Sequence, residues 1–399
     1  MFNVRTWFAG VVVLALAAGY VLYQRGGSDD SPAGDADVEL PVAAAVTVSP
    51  PPTPPPTPRI PPLTLADVFP PRDLSSLDLD PSRLRTVIAT GDVIPARYTD
   101  VTVRRQGDDF LYTVAATMDI TSSADLTVIN LEAPLIEGCP YHDSGFTFCG
   151  RPGFVAALQA AGVDVVTLEN NHIGNYGRDS IDETIQHLEA AGIKWADRTT
   201  AAIVDIRGLK FGFLAFNGVI ETIDRQAMAA AIKALRPQVD VLSVAFHWGA
   251  EYVSVPEAAP GVADDDPVEI AHLAVDAGAD WIIGNHPHWV QAVEVYKGEQ
   301  ALSPDPSNPA PQGDPGGSGA EGYIAYAHGN FIFDQMWSYE TRVGVIGKYT
   351  FYDDKLVRVE YIPTLIENYA QPRPLQGADA QAVLDGMKAA SEQLAASGR

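Results

Sequence analysis

Trp281-Ile282-Ile283-Gly284-Asn285-His286-Pro287-His288 is a short apolar run that ends, through a glycine, in an amide and two imidazoles. Three large apolar residues are too few for a helix and suit a buried strand. His286 and His288 alternate along an extended segment, so they face one way and can grip one ion. Four other runs end alike. Ile88-Ala89-Thr90-Gly91 delivers Asp92, and Val128-Ile129-Asn130-Leu131 delivers Glu132. Val166-Thr167-Leu168-Glu169 delivers Asn170, Asn171 and His172, and Val244-Ala245-Phe246 delivers His247. A single Asp after Gly is more often a turn or a cap than a ligand. Five strand tips in one register are another matter, because open α/β sheets bind ligands beyond the carboxyl ends of their strands. Two carboxylates, an amide and three imidazoles make a mixed O/N shell that suits a divalent transition metal, Mn, Fe or Zn, and not a thiolate site.

Between these runs the pattern turns amphipathic. Helices are expected at 152–161, 180–191 and 267–277, the last capped by Asp266 with Pro267 in its first turn. Even alternation about Arg207-Gly208 and about Asp353-Asp354 predicts two antiparallel hairpins, so the sheet is expected to be mixed. Residues 303–321, dense in Pro, Gly, Asp and Ser, read as a flexible insertion. Val383, Leu384, Met387 and Leu394 keep helical spacing after Gly377. His187 and His272 fall within amphipathic helices and read as surface or hydrogen-bonded helix residues, not ligands.

The formal charge is −25, with 26 basic against 51 acidic residues, which excludes a nucleic-acid surface built on clustered cations. An anionic substrate must then be held by metal or by a few placed arginines, and Arg97 and Arg151 flank the motifs. Cys139 and Cys149 lie in one loop without metal-ligand spacing; an exported chain would join them as a disulfide, and a cytosolic one would leave two thiols. His142 lies between them.

Trp7 to Tyr23 carries no charge and is flanked by Arg5 and Arg25, enough for a short membrane span with interfacial aromatics at its ends. Two readings stay open, an uncleaved single-pass anchor and a cleaved signal peptide, and both place the rest of the chain outside the cytoplasm. The proline run from Pro50 to Pro58 then makes an extended stalk.

Taken in order, Gly91-Asp92-Val93-Ile94, Asn130-Leu131-Glu132-Ala133-Pro134-Leu135, Asn170-Asn171-His172, His247-Trp248-Gly249-Ala250-Glu251-Tyr252, Gly284-Asn285-His286-Pro287-His288 and Gly329-Asn330-Phe331 resemble the motifs of the CapA family. That family is named for poly-γ-glutamate capsule synthesis, and its domain resembles the calcineurin-like metallophosphoesterases. The resemblance implies an α/β fold, a four-layer αββα sandwich with mixed sheets. Four segments are then expected: an anchor at 1–24, a stalk at 25–84, the metallophosphatase-like domain at 85–375 and a C-terminal helix at 376–399. It implies that Asp92, Glu132, Asn171, His247, His286 and His288 bind metal. It also implies that His172, beside the leaving group, and Asn170 are catalytic. Arg97, Arg151, Trp248 and Glu251 are the substrate-binding candidates.

The chain departs from the pattern at three places. Ile94 stands where phosphoesterases carry a histidine, Asn175 where the family has Asp, and His328 where it has an apolar residue. Ile94 predicts one tight metal and a second held weakly. Two functions follow: a metal-dependent hydrolase acting on a cell-envelope polymer or its precursor, or a non-catalytic subunit that binds the anionic polymer beside a membrane synthase.

Overall fold

The computed structural model describes residues 60–298 and 320–399. The expected anchor, most of the stalk and most of the 303–321 insertion lie outside the described residues. Along the chain run strands β1 (Leu84–Val93), β2 (Leu126–Leu131), β3 (Val165–Thr167), β4 (Lys194–Ala196), β5 (Ala202–Ile206), β6 (Leu209–Asn217) and β7 (Val241–His247). Then come β8 (Trp281–Asn285), β9 (Val293–Lys297), β10 (Glu321–Ala325), β11 (Asn330–Ile332), β12 (Val343–Tyr352), β13 (Lys355–Glu367) and β14 (Gln371–Pro374). The helices are α1 (Tyr98–Arg105), α2 (Met118–Thr121), α3 (Val155–Ala160), α4 (Arg178–Ala190), α5 (Arg225–Leu235), α6 (Pro267–Asp276) and α7 (Gly377–Ser397).

The strands form two mixed sheets, one ordered β14-β13-β12-β1-β2-β3-β4 with β11 on β1, the other β5-β6-β7-β8-β10-β9. In the first, β1 to β4 are parallel and β12 to β14 antiparallel; in the second, β6, β7, β8 and β10 are parallel between antiparallel β5 and β9. Both expected hairpins are present, as β5–β6 and β12–β13.

Alternation along each central strand sends its apolar side chains to two different layers. Val87 and Ala89 of β1 meet Phe211, Phe213, Ala245, Trp281 and Ile283 between the sheets, whereas Ile88, Ile129 and Val166 pack on α3 and α4 through Leu158 and Leu188. On the other side Leu242, Val244 and Ile282 pack on α5 and α6 through Met228, Ile232, Ile270 and Ala274. The result is a four-layer αββα sandwich. Asp266 accepts from Val268 N at 2.9 Å, and Pro267 fills the first turn of α6, where a missing N–H costs nothing.

The stalk boundary at residue 84 needs correction. Leu63 and Val68 are buried in the core between the sheets, so the compact unit begins before β1; the rest of the expected stalk lies outside the described residues. Composition misled there because scattered prolines hid single apolar anchors. At the other end, α7 sends Val383 and Met387 into that core and Ala390 and Leu394 into the α5/α6 layer. Among the described residues no helix is long and apolar enough to cross a membrane.

Removing the anchor of α7 tests its membership in the core. Met387→Ala is expected to cost about 2–4 kcal/mol of unfolding free energy, read from urea titration of the full chain; a change near zero would mean that α7 is a detachable tail.

Candidate metal centre

The parallel strands of both sheets end at one place because β10 and β11 belong to different sheets, and the chain between them crosses directly from one to the other. Residues 326–330 pass under the tips of β8 and β1. A Cβ on Gly284 would lie 1.8 Å from Tyr326 O, and one on Gly91 would lie 1.9 Å from Gly329 O. Both positions therefore require glycine, and each stands just ahead of a ligand-type segment. Asp92 N donates to Gly329 O at 3.0 Å, which fixes the β1 tip.

Around this crossing the structure gathers Asp92, Glu132, His247, His286 and His288, all buried. Two triads share Glu132, one with Asp92 and His247, the other with His286 and His288, and within each the candidate ligand atoms lie within 4.8 Å of one another. Asn171 joins through its Oδ1, 2.8 Å from His247 Nε2. Glu132 Oε1 lies 3.3 Å from the same nitrogen. Two oxygens thus surround one imidazole nitrogen.

Burial and charge set the protonation of the cluster. Burial, followed by the charge of Asp92, pushes the Glu132 carboxyl well above the usual carboxylate range. Burial holds His247 at about 4 and His286 well below the ordinary imidazole value. Burial is the largest influence on His288 and lowers it, but the hydrogen bond to Asp92 and the charges of the surrounding carboxylates together overcome it and raise the group to about 9. For Asp92 burial works upward, and the bond from His288 with the nearby imidazoles carries the carboxyl below its ordinary value. His288 Nδ1 donates to Asn330 Oδ1 at 2.8 Å and approaches Asp92 Oδ2 at 3.2 Å.

Both oxygens of Glu132 and both ring nitrogens of His286 are buried without a hydrogen-bond partner. Four orphaned polar atoms in one cluster are costly unless something satisfies them. A divalent cation fits this donor set, since each orphan is a carboxylate oxygen or an imidazole nitrogen. His286 and His288 also have φ of 95° and 57°, left-handed backbone that residues other than glycine adopt at a cost and that concentrates at functional sites.

His172 is brought beside the cluster. Its Nδ1 donates to Asn175 Oδ1 at 3.0 Å, its ring packs on Phe148 at 4.3 Å, and burial lowers it to about 4. Asn175 Oδ1 also accepts from Phe148 N at 2.6 Å. Cys139 and Cys149 are joined by a disulfide that closes the loop carrying Phe148. His142 stays in that loop, with Nδ1 on Pro140 O at 2.8 Å. His272 pairs with Glu294, and His187 sits on α4 near Glu183.

Three assignments from sequence need correction. Asn170 is not placed for catalysis: its Nδ2 donates to Asn130 Oδ1 and Leu131 O, and its Oδ1 accepts from His172 N and Ile173 N, so it ties the loop to β2. Trp248 is 1% exposed, stacked on Phe246 with Nε1 on Tyr326 O, out of reach of substrate. Arg151 is held by Asp100 and Asp108 over Phe110, beside α1 and away from the cluster. Arg97 does reach the rim, but Asp334 takes its guanidinium. Glu251 is at the mouth, 4.0 Å from His288 Nε2.

Asn130 and Asn330 were not among the sequence candidates. Asn130 Nδ2 donates to Asp92 Oδ1 at 2.9 Å. It lies two residues before Glu132, on the same face of β2, which was the available signal. Asn330 orients His288, and only its place after Gly329 hinted at it.

The sequence profile described as "Bacterial capsule synthesis protein PGA_cap" matches residues 86–335. This chain belongs to that family. It is 25% identical over 321 residues to the capsule biosynthesis protein CapA of Bacillus anthracis, covering 73% of this chain and 70% of the relative. Over 309 residues it is 25% identical to the PGA biosynthesis protein CapA of Bacillus subtilis (strain 168), covering 72% of each. A Mycobacterium tuberculosis polyglutamine synthesis accessory protein is 29% identical over 214 residues, 45% of this chain and 54% of that one. Among solved structures, a Staphylococcus aureus protein described as a 5'-nucleotidase, in complex with alpha-ketoglutarate, aligns with TM-score 0.40 and 12% identity, covering 76% of this chain and 58% of that one.

Ile94 is fully buried against Ala96, Ala133, Phe148 and Phe333, so two residues beyond Asp92 the chain offers no ligand atom. The full chain should hold about one tightly bound transition metal, and Ile94→His should raise the stoichiometry measured by elemental analysis. Two equally tight metals in the unmodified chain would refute this. His286→Ala with His288→Ala should lower bound metal several-fold while the circular dichroism spectrum is retained; undiminished metal content would remove the assignment.

Proposed function

We propose that this protein is a membrane-anchored, extracytoplasmic member of its family that serves capsule-polymer synthesis by hydrolysing a phosphoester of the polymer or its precursor. The observation that carries this reading is the pair of orphaned ligand groups, Glu132 and His286, with His172 beside them. The capsule context rests on what the relatives' names state, and the anchored location on the uncharged stretch from Trp7 to Tyr23.

Asp92, Glu132, Asn171, His247, His286 and His288 would hold the cation. When bound, it supplies positive charge that polarises a phosphoryl oxygen and acidifies water. His172, neutral at pH 7 because burial holds it at about 4, gains basicity when an anionic phosphoryl group arrives next to it. With Nδ1–H committed to Asn175, Nε2 is the nitrogen left to take up a proton from solvent as the anionic group docks and to pass that proton to the departing oxygen. An amide at position 175 fixes the ring without adding charge, so the substrate's own charge does the tuning.

A second reading, a polymer-binding accessory subunit, draws on the apolar Ile94 at the cluster and on the neutral Asn175. Turnover separates the two. With Mn²⁺ the full chain should hydrolyse an aryl phosphomonoester or diester, lose this with a chelator and regain it on adding metal back. His172→Ala should lower kcat by roughly 10²-fold or more with metal content unchanged. Metal bound at full stoichiometry with no turnover of either ester would favour the accessory role.

A further inference from the structure

Aromatic faces wall the mouth of the cluster. The Tyr252 ring lies 6.2 Å from that of His288, and Trp337 packs edge-on against Tyr252 at 5.0 Å. Trp337 is 62% exposed, in the loop after β11. Tyr252 is held there against its backbone preference, with φ of 62°. Its N–H donates to Pro287 O at 2.9 Å, so the wall is fastened to the segment that carries His286 and His288. Gln335 Nε2 donates to the Tyr252 hydroxyl at 3.2 Å, and the Glu251 carboxylate stands 40% exposed next to it.

Charge decides what this wall can accept. Arg97 gives its guanidinium to Asp334. Arg198, on the opposite flank, is spent on Glu169 and Glu221 through both ends of its fork. Drawing either away would leave a carboxylate unpaired. Glu251 faces His288 Nε2 at 4.0 Å on one side and is 40% exposed on the other, so its carboxylate leaves negative charge at the rim, and a chain with a carboxylate on every unit meets repulsion there. A sugar ring meets none. Its flat C–H face covers an aromatic ring, and its hydroxyls donate to a carboxylate or a phenol.

We propose that Tyr252 and Trp337 form a subsite for the sugar ring of a glycosyl phosphate whose phosphate lies at the metal cluster. This deepens the hydrolase reading and rests on it. The wall then selects a phosphorylated sugar over free phosphate and over a carboxylate polymer.

Calorimetric titration of the full chain, zinc-loaded and carrying His172→Ala to suppress turnover, tests the subsite directly. The probes are N-acetylglucosamine 1-phosphate, inorganic phosphate, adenosine monophosphate and a γ-glutamate oligomer. The sugar phosphate should bind about ten-fold more tightly than inorganic phosphate, the size of one good stacking contact. Trp337→Ala should bring the two within about two-fold at unchanged zinc content, whereas Trp337→Tyr should retain most of the preference. Equal affinity for sugar phosphate and phosphate would overturn the subsite while leaving the hydrolase reading standing. Tighter binding of adenosine monophosphate or of the oligomer would overturn it in favour of a base or a polyanion. Failure of phosphate itself to bind would remove both.

Discussion

The crossing of residues 326–330 from one sheet to the other is the constraint on which the rest of the architecture rests. Two sheets packed face to face do not by themselves bring their strand tips to a common point. Here one short segment runs close beneath both tips, and it can do so only because Gly91 and Gly284 offer no Cβ to Gly329 O and Tyr326 O. His328, on this segment, lies 2.8 Å from the Tyr349 hydroxyl through Nε2, and Tyr349 continues to Tyr361 at 3.2 Å. The departure at position 328 is thus a core hydrogen-bonding residue that ties the crossing to β12 and β13. Asn330, two residues on, orients His288. Backbone, core and candidate ligands share one piece of chain.

Much of this was legible in the sequence because each ligand-type residue sits where an apolar run stops. Burial on both faces makes β2, β7 and β8 nearly continuous apolar strings, and the change to polar at their tips is abrupt. Long-range contacts were not legible. Nothing local to Asn330 says that its partner is His288, 42 residues earlier. Arg151 looked free because Asp100 and Asp108 lie far away in sequence. Trp248 was different, since its error was avoidable. It follows His247, and neighbours on an extended chain face opposite ways, so a histidine turned to the cluster sends its tryptophan into the helix layer. Asn170 and Asn171 divide in the same manner, one into the β2 anchor and one to His247.

The electrostatics of the cluster also explain how its buried ionisable groups are accommodated together. Three imidazoles and two carboxylates buried together would set like charges repelling one another if all of them took up charge. Instead Asp92 and His288 form a buried pair, each moved toward its ionised form by the other. Burial and then the charge of Asp92 push the Glu132 carboxyl well above the usual carboxylate range, and burial favours the neutral imidazole at His247 and His286. These opposed shifts lessen the charge that the buried cluster has to hold. Its remaining cost is the unsatisfied oxygens of Glu132 and nitrogens of His286, atoms placed where a cation would meet them. Left-handed backbone at His286 and His288 and unsatisfied polar atoms at Glu132 and His286 coincide in one candidate ligand shell, and metal binding there accounts for both at once.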